Sequence, residues 1–316
     1  MKRIFFYVDS FGLGHMTRQI ALVRALNGKT DISVMSSKYL SIIKKSLPEV
    51  KVQQTNIGIR LVRKNLSIDI EKTIELNKDF DEYFEKRVNE EMTRLRREMP
   101  DLIVADIPAE IFIAAEAVGI PVVAVSNFGW TIILEHIFGR NHEYKTYVDA
   151  YSKATKTFIL PFNEPMGEFS NKKLVGLLRR RITKKLPKRN GILAAFGKSG
   201  SIRLGKGFYR IPESETEGQD YVAAAEAVFA KPAYGTVSEA VSAGVPMFIK
   251  KRKDFPESDY ILRQIEWKKV VPEEANAEEW ITNEMKNIDF DAIERMKKKY
   301  SINGDREIAQ EIMKML

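Results

Sequence analysis

Two short segments put chemistry-bearing side chains where an apolar run turns into a helix. Residues 229–247 read Phe-Ala-Lys-Pro-Ala-Tyr-Gly-Thr-Val-Ser-Glu-Ala-Val-Ser-Ala-Gly-Val-Pro-Met. The apolar run ends at Lys231-Pro232, a small-residue turn carries Tyr234, and a helix is predicted to open at Gly235-Thr236, with Ser238 and Glu239 in its first turn. A helix N-terminus offers unpaired N–H groups and a partial positive charge, so Gly235 and Thr236 form a ready anion site. Glu239 would set a carboxylate one turn in, able to bind a sugar diol beside a bound phosphate. That pairing suits a nucleotide-sugar better than a bare phosphate. Strand–turn–helix units of this composition also occur without a ligand, so local chemistry leaves both readings open.

The second segment, Gly12-Leu13-Gly14-His15, follows the apolar run 3–8. As a dinucleotide fingerprint it is poor, because Thr17 stands where a third small residue belongs and Ser36-Ser37-Lys38 replace the acid expected after the second strand. A third turn, Phe196-Gly197-Lys198-Ser199-Gly200-Ser201, contains Gly-Lys-Ser. A phosphate-binding Walker loop needs four residues between its glycines, whereas the five between Gly191 and Gly197 read as strand. Asp-Phe-Asp occurs at 79–81 and 289–291, both in charged helical stretches where a solvated face explains it. Three histidines and no cysteine make no convincing metal constellation. No metal and no cofactor is expected.

These turns need a scaffold, and the chain supplies one. Its 316 residues suffice for two domains, and 44% apolar with 30% charged content describes a soluble globular protein. No apolar run approaches the ~20 residues of a membrane span. The opening Met1-Lys2-Arg3-Ile4 reads as a first strand rather than a signal peptide, and the lack of cysteine fits a cytoplasmic location. A net charge of +8 favours anionic partners, but no nucleic-acid recognition module is visible and none is expected. Strands are predicted at 3–8, 31–35, 50–57, 102–105, 121–125 and 156–160, separated by helices, with a long charged helical region from about 69 to 98. The alternation restarts at 191 and runs to a terminal helix, 304–315. Such βα alternation predicts mostly parallel, doubly wound sheets, with ligands bound beyond the carboxyl ends of the strands. The expected division is an N-terminal domain 1–177, a basic linker 178–190 and a C-terminal domain 191–316, with the terminal helix packing back on the first domain. Seven basic residues between Arg179 and Arg189 read best as a solvated connector; the alternative is that some face the cleft and attract a phosphate.

Segment 229–247, with its Gly-Thr-x-x-Glu helix start, its Ala-Gly-x-Pro and the acidic turn Lys253-Asp254-Phe255-Pro256-Glu257, resembles the nucleotide-sugar-binding core of GT-B glycosyltransferases. The likeness is greatest to the group of the lipid-intermediate GlcNAc transferase and to the transferase-like N-terminal halves of some sugar kinases. The resemblance implies two Rossmann-like domains facing a cleft, and an inverting, metal-independent transfer from a nucleoside-diphosphate sugar, UDP-linked, to a hydroxyl acceptor. It gives His15 the part of general base, a role that imidazole suits near neutrality; a turn-packing histidine is the other reading. It assigns Gly197, Ser199, Gly200, Tyr234, Gly235, Thr236, Ser238 and Glu239 to the donor nucleotide, and Asp254 and Glu257 to the transferred sugar. Gly12, Gly14, Asn127 and Trp130 fall on the acceptor side, where Trp130 either stacks on a sugar or belongs to the core. It places Asp106 near the cleft, to orient His15 or hold an acceptor hydroxyl; capping the helix after it is the other reading. A lipid-linked acceptor would suit a basic helix at 38–45 lying on an anionic inner membrane face, although a core-facing helix with exposed lysines explains that segment better. A sugar-nucleotide epimerase and a non-catalytic nucleotide-sugar-binding protein share this fold and are the alternative functions.

Overall fold

The computed structural model describes residues 1–197 and 205–316. Lys198, Ser199, Gly200, Ser201 and Arg203 therefore lie outside the described residues. One sheet has seven strands in the order Lys51–Gln54, Asp31–Ser36, Arg3–Val8, Leu102–Asp106, Val122–Ser126, Lys156–Ile159 and Lys172–Leu174, with every pairing parallel. The second has five, Phe208–Tyr209, Arg189–Ala195, Ala225–Ala230, Met247–Ile249 and Lys269–Val270, again all parallel. Helices cover both faces of the first sheet. That is why its central strands are apolar throughout instead of alternating: Phe5 and Tyr7 enter one core, and Ile4, Phe6 and Val8 another. This second core continues into the other half through Tyr234, Val237 and Val241, so the two sheets are joined by packing as well as by chain. Helix Leu13–Leu26 touches both Tyr234–Ala243 and the terminal helix Gly304–Met315.

The structure adds to three expectations. The charged helical region 69–98 forms as two helices, Ile70–Leu76 and Phe80–Glu98. Asn77 separates them because its side-chain amide donates to the Thr73 and Arg60 carbonyls, competing with the helical ladder. Helices Thr131–Phe138 and His142–Ser152 fill a stretch for which the sequence predicted none. The connector is not uniformly solvated either: Arg180 is only 5% exposed and ion-paired, while Thr183 and Lys184 donate to Asp220.

Helix Leu40–Ser46 sends Ile43 into the core and leaves Lys44 and Lys45 exposed. Among the described residues no helix is long and apolar enough to cross a membrane.

Candidate functional site

Each half ends a central strand in a turn that starts a helix, and the two helix starts face each other. Strand Arg3–Val8 leads to Leu13–Leu26, and Ala225–Ala230 leads to Tyr234–Ala243. Their first turns line one cavity of about 180 Å³, with Gly12, Gly14 and His15 on one wall and Tyr234, Gly235, Thr236 and Glu239 on the other. The second helix has no side-chain cap, which leaves its first N–H groups for a ligand. Glycine is required by the approach itself. A Cβ on Gly235 would lie 2.9 Å from Thr17 Oγ1 and 3.5 Å from Gly14 Cα. Gly235→Ala should therefore lower stability by about 1 kcal/mol through overpacking, and Thr17→Ala in the same chain should restore most of it. Urea denaturation of the three proteins checks this; no rescue by Thr17→Ala would mean the contact is not the cause.

His15 is held from behind. Its ring is 7% exposed and lies between Trp130 and Phe128, with centroids 5.5 and 5.7 Å away. Its Nδ1 meets Asp106 Oδ1 at 2.7 Å. Asp106 is fully buried and also accepts from Arg18 Nε and Nη2, both at 2.5 Å, and from Gln19 Nε2 at 2.9 Å. Burial alone would raise the Asp106 carboxyl; the charges of Arg18 and His15 and their hydrogen bonds outweigh it and hold it at about 2. Arg18 Nη2 also stands 3.0 Å from His15 Nδ1, but a guanidinium can only donate and an ionised carboxylate can only accept. Nδ1 is consequently a protonated nitrogen that donates to Asp106, so in the neutral ring the lone pair is on Nε2. Asp106 is thus the residue that orients His15. It does not cap the following helix, whose N-cap position is Pro108.

The structure separates the remaining expected residues into wall and support. Glu239 lines the cavity, and its Oε1 accepts from Arg180 Nε at 3.0 Å. Burial pushes the Glu239 carboxyl up while Arg180 opposes it. Tyr234 also lines the cavity; its hydroxyl accepts from the Leu178 N–H at 2.9 Å. Ser238 turns away, donating to the Gly235 carbonyl at 3.0 Å. Glu257 lines the cavity and accepts from Asn127 Nδ2 at 3.2 Å, while Asn127 accepts in turn from Arg18 Nη1, so Asn127 is a buried strut behind the wall. Trp130 is both wall and core, fully buried and edge-on to Phe11 and Phe128. Gly197 reaches the cavity with φ +60. Asp254 does not reach it: it sits in a left-handed turn, 45% exposed, beside His136 and on a separate groove.

Sequence reasoning missed four cationic residues, Arg18, Arg63, Lys231 and Arg252, which line the cavity together with Arg180 of the connector, where the alternative reading had basic residues facing the cleft. Arg18 had a readable signal, since it follows His15 by three positions and so shares its helix face. Burial, then the neighbouring charges of Arg252 and Arg63, brings Lys231 down to about 7. Among the described residues, no group of three or more histidine or acidic side chains is arranged to hold a metal.

No family model matches the chain. L-arabinokinase from Arabidopsis thaliana is 24% identical over 83% of this chain, which spans 29% of that protein's length. Among solved structures, Arabidopsis thaliana UGT89C1 complexed with UDP-L-rhamnose is 13% identical, with a TM-score of 0.67 and 99% of each chain covered. The glycosyltransferase VinC in complex with dTDP is 14% identical, with a TM-score of 0.65 and likewise 99% of each chain covered. Two parallel sheets, facing helix starts and a cleft between them, matched over nearly the full length by glycosyltransferases, give this chain the GT-B fold.

Proposed function

We propose that the chain is an inverting glycosyltransferase that uses a nucleoside-diphosphate sugar, UDP-linked, and a hydroxyl acceptor, without a metal. The observation that carries this reading is His15, oriented by a buried carboxylate and facing an uncapped helix start across one cavity. His15 Nε2 takes the acceptor hydroxyl's proton as its oxygen bonds to the anomeric carbon. The bond from that carbon to the diphosphate oxygen breaks, and the diphosphate departs with the electron pair. Asp106 stabilises the imidazolium, and the N–H groups of the Tyr234–Ala243 start stabilise the leaving charge. Glu239 has Oε1 engaged by Arg180, which leaves Oε2 for the donor ribose.

At about 180 Å³ the cavity is smaller than the roughly 300–1,000 Å³ of a small-molecule site. In this reading the halves part to admit the donor and close on it. The decisive experiment is calorimetric titration of the protein with a panel of nucleoside diphosphates and nucleotide-sugars, with chelator present. One diphosphate should bind selectively, and Glu239→Gln should weaken it about tenfold, the loss of one hydrogen bond to a charged group. A panel that shows no binding would leave only the fold.

A further inference from the structure

His15 is held by two turns that leave neighbouring strands. Leu102–Asp106 ends in Asp106, which accepts from Nδ1, and Val122–Ser126 leads to Trp130, which packs on the ring. The first turn is strained. Ile107, directly after Asp106, has φ +78, in the left-handed region that β-branched side chains rarely enter. A conformation of that kind persists only where its surroundings over-determine it. The second turn sets the Trp130 ring 5.5 Å and the Phe128 ring 5.7 Å from the imidazole.

One buried hydroxyl reaches both turns. Tyr151 lies on helix His142–Ser152 and is fully buried. Its hydroxyl donates to the Ile107 carbonyl at 2.9 Å, and the same oxygen accepts from the Trp130 N–H at 3.4 Å. Aromatic packing fixes the ring: Phe169 stacks on it at 4.4 Å with a 16° interplanar angle, and Phe112 meets it edge-on at 5.5 Å. Burial pushes the phenol well above its usual range, so the oxygen keeps its proton and stays a donor near neutral pH. Tyr151 does not line the cavity; it stands behind the wall that carries His15.

We propose that Tyr151 is a positioning residue for the transfer: its hydroxyl ties the strained Ile107 turn to the Trp130 turn, and so aims the Asp106 carboxylate at His15. The proposal rests on the reading of His15 as general base. A shared anchor matters because His15 is gripped from both turns at once. A shift of one turn against the other bends the 2.7 Å bond between Nδ1 and Asp106, and a hydrogen bond weakens steeply with misalignment. The partner of Nδ1 decides which ring nitrogen keeps the lone pair, so the anchor acts on the basic Nε2 without touching it.

Tyr151→Phe removes the oxygen and keeps the ring, and NMR of the full chain labelled with 15N-histidine reads the consequence. The chain has three histidines, of which His15 alone is buried, so its ring signals are separable. In the intact protein a fixed tautomer should split the two ring-nitrogen shifts of His15 widely. In Tyr151→Phe they should move toward each other, and the Nδ1 proton should exchange with water about tenfold faster, the loss of one aligned hydrogen bond. Tyr147→Phe, one turn earlier on the same helix and equally buried, is the control and should leave both signals unchanged. UDP release from UDP-glucose, with water as acceptor, should show kcat lowered about tenfold or more in Tyr151→Phe, with KM within about twofold. Unaltered His15 signals in Tyr151→Phe would overturn the proposal. Equal changes in both variants, or faster exchange of backbone amides throughout Val122–Ser126, would also overturn it by making the role structural. The anchor is judged on the resonances, which need no substrate. Failure of the intact protein to release UDP would therefore count against the transferase reading alone.

Discussion

His15→Ala should lower turnover by roughly a hundred- to ten-thousandfold, the range that a positioned general base contributes, while nucleotide affinity changes less than about twofold. The separation follows from where each group sits. His15 belongs to the wall formed by the first half, whereas Gly235, Thr236 and Glu239 belong to the second. Its Nδ1 is committed to Asp106, so substitution removes the basic Nε2 without taking a contact from the helix start that would hold the diphosphate. His15→Gln, which refills part of the space between Trp130 and Phe128, should be equally inactive, and this guards against a packing artefact. Steady-state transfer rates beside calorimetric affinities make the check. Retained turnover in both variants would remove His15 from the mechanism. Parallel loss of nucleotide affinity would make it a structural residue.

How far the site could be read from the chain depends on distance along the sequence. Strands Leu102–Asp106 and Val122–Ser126 are buried at every position, so they appear as uninterrupted apolar runs, and the turns that follow them can be located by inspection. His15, Gly235, Thr236, Glu239 and Glu257 all sit just beyond such strand ends, and all reach the cavity. Asp254, only three positions from Glu257, does not, because a left-handed turn directs it to another surface; nothing in residue type announces that φ. The hairpin Arg63–Lys64 with Ser67–Ile68 has strands of two residues, too short for any alternation to register. Its meeting with Arg252 spans 186 positions and is a product of the tertiary fold alone. Helices Thr131–Phe138 and His142–Ser152 escaped notice because the second has aromatic and charged residues intermixed, with only Tyr147, Ala150 and Tyr151 among its residues fully buried.

Arg18→Met should destabilise the protein by about 3–5 kcal/mol, the usual cost of removing one partner from a buried ion pair. Arg18 is 2% exposed and supplies donors to Asp106, Asn127 and Ser126, with its guanidinium 5.3 Å from the Tyr234 ring. Without it, Asp106 stays buried with His15 and Gln19 as its remaining partners. The pH dependence identifies the cause. In the intact protein Asp106 is lowered from 3.8 to about 2, so it contributes stability that is fully present above pH 4 and is lost as pH falls toward 2. That contribution is on the order of 2 kcal/mol. In Arg18→Met the chief opponent of burial is gone, and the Asp106 carboxyl should move above its unfolded value. Its contribution then changes sign and weakens the fold as pH rises. The deficit of the variant should accordingly be largest at neutral pH and narrow toward pH 4, read from urea denaturation at the two values. A deficit independent of pH would locate the damage in packing around Tyr234 instead of in the ion pair. Arg18→Met combined with Asp106→Leu removes both charges, and replacing a buried pair with apolar groups of similar size is often neutral or better. That double variant should regain much of the lost stability while its turnover stays as low as that of His15→Ala, because an imidazole without its carboxylate has neither a fixed tautomer nor a counter-charge.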